Sequence, residues 1–133
     1  MKALLSIKPE YVEKIISGEK KFEYRKKIFK ENVDSVVIYS TMPVGKIIGE
    51  FSLNEIICDT PENIWSKTKL FSGVEEEFFN KYFDNVKSGF ALKIENLNIY
   101  QTPINPKDLF KDFVAPQSFM YIENNHYEQL SLI

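Results

Sequence analysis

At 133 residues, 44% hydrophobic and 27% charged, the chain has the composition of an ordinary soluble globule and room for one domain, which excludes a second full one. Eleven Phe, seven Tyr and one Trp supply core bulk, so a fold that buries roughly two thirds of the unfolded surface needs neither disulfide nor metal. Seventeen basic against nineteen acidic residues leave a formal charge of -2, which argues against a uniformly basic body that coats duplex nucleic acid.

Ala3 to Ile7 is a short apolar run bounded by Lys8-Pro9 and predicts a first strand. Pro9 suits a first helical position, where its missing N–H would be unpaired anyway. Val12, Ile15 and Ile16 form an apolar stripe that Gly18 ends, which predicts a short helix. From Phe22 to Ile28 the pattern alternates, with Phe22 and Tyr24 on one side and Glu23 and Arg25 on the other, the period of a strand with one polar face. Asp34 to Ser40, rich in β-branched residues, reads as a central strand stopped at Thr41-Met42-Pro43, and Lys46 to Ile57 as one long strand bulged or bent at Gly49.

Thr60 then caps a helix with Pro61 at its first position and Ile64, Trp65, Thr68 and Phe71 along one side. After Ser72-Gly73 a second helix carries Val74, Phe78, Phe79, Tyr82 and Phe83, and these aromatics read as core. Gly89 to Tyr100 returns to strand composition. Pro103, Pro106 and Pro116 mark a loop with at most one helical turn near Lys107 to Phe110, and Ser118 to Ile122 is a last short strand. Without regular βαβα alternation, the expected fold is α+β with a mainly antiparallel, barrel-like sheet over residues 2–122, followed by a tail, residues 123–133, able to remain disordered.

Charge is unevenly spread. Residues 1–30 hold nine Lys or Arg against four Glu, a local +5, while the other 103 hold eight against fifteen, a local -7. Such a first quarter is either a solvated lysine-rich face or an anion-binding patch. Cys58, the only cysteine, reads as a small core hydrophobe, and His126 lies in the polar tail, so no metal or cofactor is expected. The start is too short an apolar run for a secretory signal and no stretch of about 18 apolar residues occurs, so a cytoplasmic location without membrane contact is expected.

The segment with chemistry in it is Gly18-Glu19-Lys20-Lys21-Phe22-Glu23-Tyr24-Arg25. If the face shared by Glu23 and Arg25 looks into a cleft, its charges must be paired or hold a ligand. An Arg fork held by a Glu beside a Lys suits a phosphate or the polar edge of a base. The alternative is the solvated face of an edge strand.

Gly18, Lys20, Glu23 and Arg25 match a Gly-x-Lys-x-x-Glu-x-Arg pattern that resembles the signature of the ASCH domain family, a branch of the PUA-like β-barrels. Leu5-Ser6-Ile7-Lys8-Pro9, Ile38-Tyr39-Ser40 with Pro43, Gly49-Glu50-Phe51, Phe71-Ser72-Gly73 and Ala115-Pro116-Gln117-Ser118-Phe119 are similar to the subgroup labelled predicted transcriptional regulators. The resemblance, over roughly residues 2–122, implies a PUA-like barrel of five or six strands with flanking short helices and a cleft lined by Lys20, Glu23 and Arg25. It implies binding of RNA or other nucleic acid; some members cleave RNA, and one branch hydrolyses acylated cytidine nucleosides. In that branch a Thr nucleophile stands where this chain has Glu23, which puts nucleophilic hydrolysis in doubt. Ser6, Lys8, Tyr39, Ser40, Gln117 and Ser118 are further candidates from the matching segments. Each has a structural alternative: Ser6 and Ser40 can satisfy backbone groups, Tyr39 can be core and Gln117 can brace the Pro116 turn.

The expectation is a module that binds RNA or a single-stranded or modified nucleotide, in transcription or RNA-related regulation. The alternatives are a small hydrolase or nuclease using Lys20 and Glu23, and a protein-interaction accessory domain. The oligomeric state is left open.

Overall fold

The computed structural model describes residues 1–122. The tail expected at 123–133, with His126, lies outside the described residues. In chain order the elements are β1 (Lys2–Ile7), α1 (Pro9–Ser17), β2 (Phe22–Arg25), β3 (Ser35–Ser40), β4 (Lys46–Ser52), β5 (Ile56–Asp59), α2 (Pro61–Thr68), α3 (Glu76–Tyr82), β6 (Gly89–Lys93), β7 (Glu95–Ile104) and β8 (Phe119–Ile122). Single 3-10 turns occur at Lys69–Phe71 and Pro106–Asp108.

The eight strands form two sheets, one of five in the order β7-β4-β3-β1-β8 and one of three in the order β2-β6-β5. Only β1 and β3 run parallel, a pairing that the α1 and β2 excursion between them permits. This α+β fold corrects the expected barrel of five or six strands: the sheets pack against each other and do not close. The reason lies at two joints. Lys46 to Ile57 is not one strand but two, because the chain leaves β4 at Ser52, buries Leu53 as a pivot and enters the other sheet as β5. Gly89 to Tyr100 divides likewise into β6 and β7, with Asn96 at φ 50° just past the joint. Each long β segment thus crosses between sheets, and no hydrogen-bonded ladder joins them.

The register between β4 and β7 shifts around Gly49, where a Cβ would run into the backbone of Asn98 and Ile99. That close approach explains the glycine.

Both faces of the five-stranded sheet are covered. Ala3, Leu5, Ile7, Val36, Ile38 and Phe51 pack on one side against Val12 and Ile15 of α1 and Leu92 of β6. Leu4, Val37, Tyr39, Ile47, Tyr100, Phe110 and Ile122 make the core of the other, the outer face, which is turned away from the small sheet. A third cluster, Tyr24, Ile64, Phe79, Phe83 and Ala91, lies between the small sheet and helices α2 and α3. Burying each large side chain contributes about 1.5–3 kcal/mol. Cys58 is exposed, contrary to the core role expected of it, because β5 is an edge strand and Cys58 alternates outward. No helix among the described residues is long and apolar enough to cross a membrane.

Candidate functional site

Three local features bring the charges of the Gly18–Arg25 segment together. Gly18, at φ 86°, takes the left-handed cap of α1 and turns the chain back toward the small sheet. Lys20 then forms an isolated antiparallel bridge with Ser72. Alternation along β2 sends Tyr24 into the third core cluster and puts Glu23 and Arg25 on the other side, facing the carboxyl end of β1.

A cleft of about 440 Å³ opens there. Ser6, Ile7 and Lys8 bound it from the end of β1, Tyr11 from α1, and Gln117 and Ser118 from the approach to β8; Val74, Phe78, Phe79 and Tyr82 close the side of α3.

A chain of charges crosses the floor. Arg25 Nη2 donates to the Ser6 carbonyl at 3.0 Å and to Glu23 Oε2 at 2.9 Å, and Nη1 makes a long contact with Ser118 Oγ at 3.4 Å. Glu23 Oε1 lies 3.7 Å from Lys20 Nζ, which donates to the Ser72 carbonyl at 3.0 Å. Lys20 is only 2% exposed and Glu23 8%. Two cations and one carboxylate leave a net positive floor with Glu23 engaged on both oxygens. The buried Arg25 Nε has no hydrogen-bond partner among the described residues. Such a floor suits a ligand rich in acceptors.

Burial lowers the proton affinity of Lys20, with the Arg25 and Lys14 charges adding to the effect and Glu23 opposing it. Lys20 Nζ sits 4.7 Å from the Tyr24 ring centre and 5.7 Å from that of Tyr11. Burial pushes the Tyr24 phenol up to about 12, and the Glu23 charge adds to this. Thr68 spends its one hydroxyl proton on the Ile64 carbonyl at 2.7 Å, so in its 2.7 Å contact with Thr68 the Tyr24 hydroxyl is the donor. Tyr11 and Tyr82 are also raised, chiefly by burial, so the wall stays neutral at physiological pH.

Of the residues singled out in the sequence, Lys20, Glu23 and Arg25 meet at the floor. Ser6, Lys8, Gln117 and Ser118 line the cleft. Ser6 gives its carbonyl to Arg25 while its hydroxyl donates to the Pro116 carbonyl at 2.7 Å. Tyr39 and Ser40 lie apart from the cleft lining. Tyr39 points into the outer-face core, 5.2 Å from the Phe113 ring, and Ser40 is buried where β3 pairs with Ile7.

The sequence did not mark Tyr11, Lys26, Lys27, Phe78 or Tyr82 as cleft residues. Phe78, read as core, stands at the cleft instead and is 41% exposed, whereas Tyr82 packs against the third cluster as expected and lines the cleft as well. A signal was present: Phe78, Phe79, Tyr82 and Phe83 form two adjacent one-turn pairs, a stripe wider than one packed face needs. Among the described residues no group of three or more His, Cys, Asp or Glu is arranged to hold a metal.

Fold and site together define an α+β domain of two packed sheets with an ion-paired, aromatic-walled cleft between them. The ASCH domain model matches residues 5–98, and the chain belongs to the ASCH domain family. It is 26% identical over 135 residues to the ASCH domain-containing ribonuclease of Zymomonas mobilis subsp. mobilis, across 96% of this chain and 88% of that one. The crystal structure of ASCH from Zymomonas mobilis is similar, with a TM-score of 0.90 and 25% identity over 99% of this chain and 94% of that one. The N-terminal domain of Staphylothermus marinus McrB shares the fold alone, with a TM-score of 0.59 and 12% identity over 98% of this chain and 93% of that one. These likenesses stand at the level of the ASCH domain and lend no support to the narrower grouping with predicted transcriptional regulators.

Proposed function

We propose that the chain binds single-stranded RNA by drawing one base into the cleft. The observation that carries this is the Lys20–Glu23–Arg25 chain on the floor of an aromatic-walled cleft. The rings of Tyr11 and Tyr82 suit a planar base, the floor supplies hydrogen-bond donors, and the exposed Lys8, Lys26 and Lys27 at the rim suit the phosphates beside it. The named activity of the Zymomonas mobilis relative supports RNA over other planar ligands. Affinity should be modest and fall with salt on a shallow slope, because few phosphates are contacted. Equilibrium binding of short single-stranded RNA at low salt tests this: Lys20→Ala and Arg25→Ala, both folded, should each weaken binding about tenfold or more. Undiminished binding in both would refute it.

That relative also favours a second reading, RNA cleavage in the same cleft. Lys20, with its lowered proton affinity, and Glu23 would be the acid and base. Cleavage products that disappear in Glu23→Gln, with binding retained, would establish it.

A further inference from the structure

Helix α3 carries more aromatic surface than the core takes up. Phe79 and Phe83, one turn apart, are 1% and 3% exposed and close the third cluster against Tyr24, at ring distances of 5.0 and 6.3 Å. Phe78 and Tyr82, also one turn apart, stand on the neighbouring face at the cleft. Their rings are nearly parallel, at 10° and 6.4 Å, and Phe78 lies 5.8 Å from Tyr11. Tyr11 and Tyr82 are half-buried, and the Lys26 ammonium lies over the Tyr82 ring at 4.8 Å. Phe78 keeps 41% of its surface open to water. A single exposed apolar residue is ordinary on a protein surface. One that continues the wall of a charged cleft, beside cations at its rim, has the makings of a stacking platform.

Charge gives the platform a direction. Lys26 and Lys27 follow β2 at the rim and line the cleft, whereas Glu75, Glu76 and Glu77, at the start of α3, are absent from its lining. A phosphodiester leaving the cleft is attracted toward Lys26 and Lys27 and repelled from the start of α3.

We propose that the site takes two consecutive nucleotides, one base inside the cleft and its neighbour stacked on Phe78, with the phosphate between them over Lys26 and Lys27. This rests on the RNA-binding reading above and narrows it. The ligand class is a single-stranded segment of at least two nucleotides, and a free nucleoside or mononucleotide fills only half of the site. Stacking on a phenyl ring is indifferent to base identity, so the second position adds affinity without sequence preference.

The test compares a 2′-O-methyl uridine monophosphate with the 2′-O-methyl uridine dinucleotide, whose blocked 2′ oxygen prevents cleavage by 2′-hydroxyl attack. Both are titrated at low salt into wild type, Phe78→Ala and Phe78→Tyr, with folding checked by thermal denaturation. The dinucleotide should bind wild type about tenfold more tightly than the mononucleotide. Phe78→Ala should abolish that advantage while leaving mononucleotide affinity unchanged, and Phe78→Tyr should restore it. Equal losses for both ligands in Phe78→Ala would make Phe78 part of the wall for the first base, and no loss would make it a bystander; either result overturns the two-nucleotide site while RNA binding stands. A folded wild-type protein that binds neither ligand would overturn both.

Discussion

Arg25 and Ser6 tie the two sheets together across the cleft: the guanidinium, on an edge strand of the small sheet, donates at 3.0 Å to the carbonyl near the end of β1 in the large one. The same nitrogen reaches Glu23 Oε2 at 2.9 Å. One side chain therefore closes the floor and braces the pocket that a ligand enters.

Arg25 should accordingly be sensitive to conservative exchange. Lysine keeps the charge but has no planar fork to reach Ser6, Glu23 and Ser118 at once. Arg25→Lys should lose about 2 kcal/mol of stability and most RNA affinity, and Arg25→Ala should lose at least as much of both. Urea denaturation and RNA titration on the same samples measure the two effects. An Arg25→Lys protein that matches wild type in both would remove the brace from the account.

Gly73 is shaped by Lys20. It sits at φ 67°, and a Cβ built there would run into the stem of Lys20, 2.8 Å from Cγ and 3.0 Å from Cδ. Gly73→Ala adds backbone strain to that clash and should cost about 1–3 kcal/mol. It should also pull the Lys20 ammonium away from the Ser72 carbonyl. If so, it weakens RNA binding in wild type yet adds nothing in a Lys20→Ala background, a double-mutant comparison that separates strain from an effect passed through Lys20.

Alkaline pH should act on stability in two opposing ways. The proton affinity of Lys20 is lowered in the fold, so the unfolded chain binds more protons than the native one between the lowered value and the ordinary lysine range near about 10.4. In that window stability rises with pH, and as pH falls through the lowered value this contribution is lost. Tyr24 works the other way: raised to about 12, it contributes stability that is complete below the ordinary tyrosine value of about 10 and lost as pH climbs toward 12. Denaturation midpoints between pH 7 and 11 should lose their rising part in Lys20→Met and keep their alkaline fall.

Glu50 offers a control remote from the cleft. It accepts from Lys2 at 2.8 Å, Ser35 at 2.7 Å and Tyr100 at 3.0 Å. Burial alone would raise its carboxyl, but these bonds outweigh burial and hold it below the usual range. Its contribution is therefore complete above the ordinary carboxylate value and lost as pH falls through the lowered one. Glu50→Ala should cost about 2–3 kcal/mol and leave RNA affinity unchanged once the protein is folded.

Features governed by neighbours in sequence were legible before the structure. Pro9 and Gly18 bracket α1, Thr60 caps α2 by accepting from the Asn63 N–H, and alternation put Glu23 and Arg25 on one face of β2. The expected barrel failed because a strand pattern continues unbroken through a pivot: nothing local distinguishes Leu53 in the middle of a strand from Leu53 where the chain passes between sheets. That Tyr39 packs in the core beside Phe113, apart from the cleft lining, was not legible for a similar reason, since the face of the sheet that a β3 side chain joins depends on packing and not on its own alternation. Phe78 was absorbed into the core, and the cleft-facing side of Tyr82 was missed, because one helix stripe does not say how many partners it has.

The most direct test of the central claim is to titrate short single-stranded RNA into isotope-labelled protein and map the amide and side-chain resonances that move. The account requires the shifts to gather at Ser6, Tyr11, Lys20 to Lys27, Phe78, Tyr82 and Ser118, with Tyr39 and the Glu50 network unaffected. Shifts centred on the outer face of the five-stranded sheet, or none at RNA concentrations well above those of the protein, would contradict it.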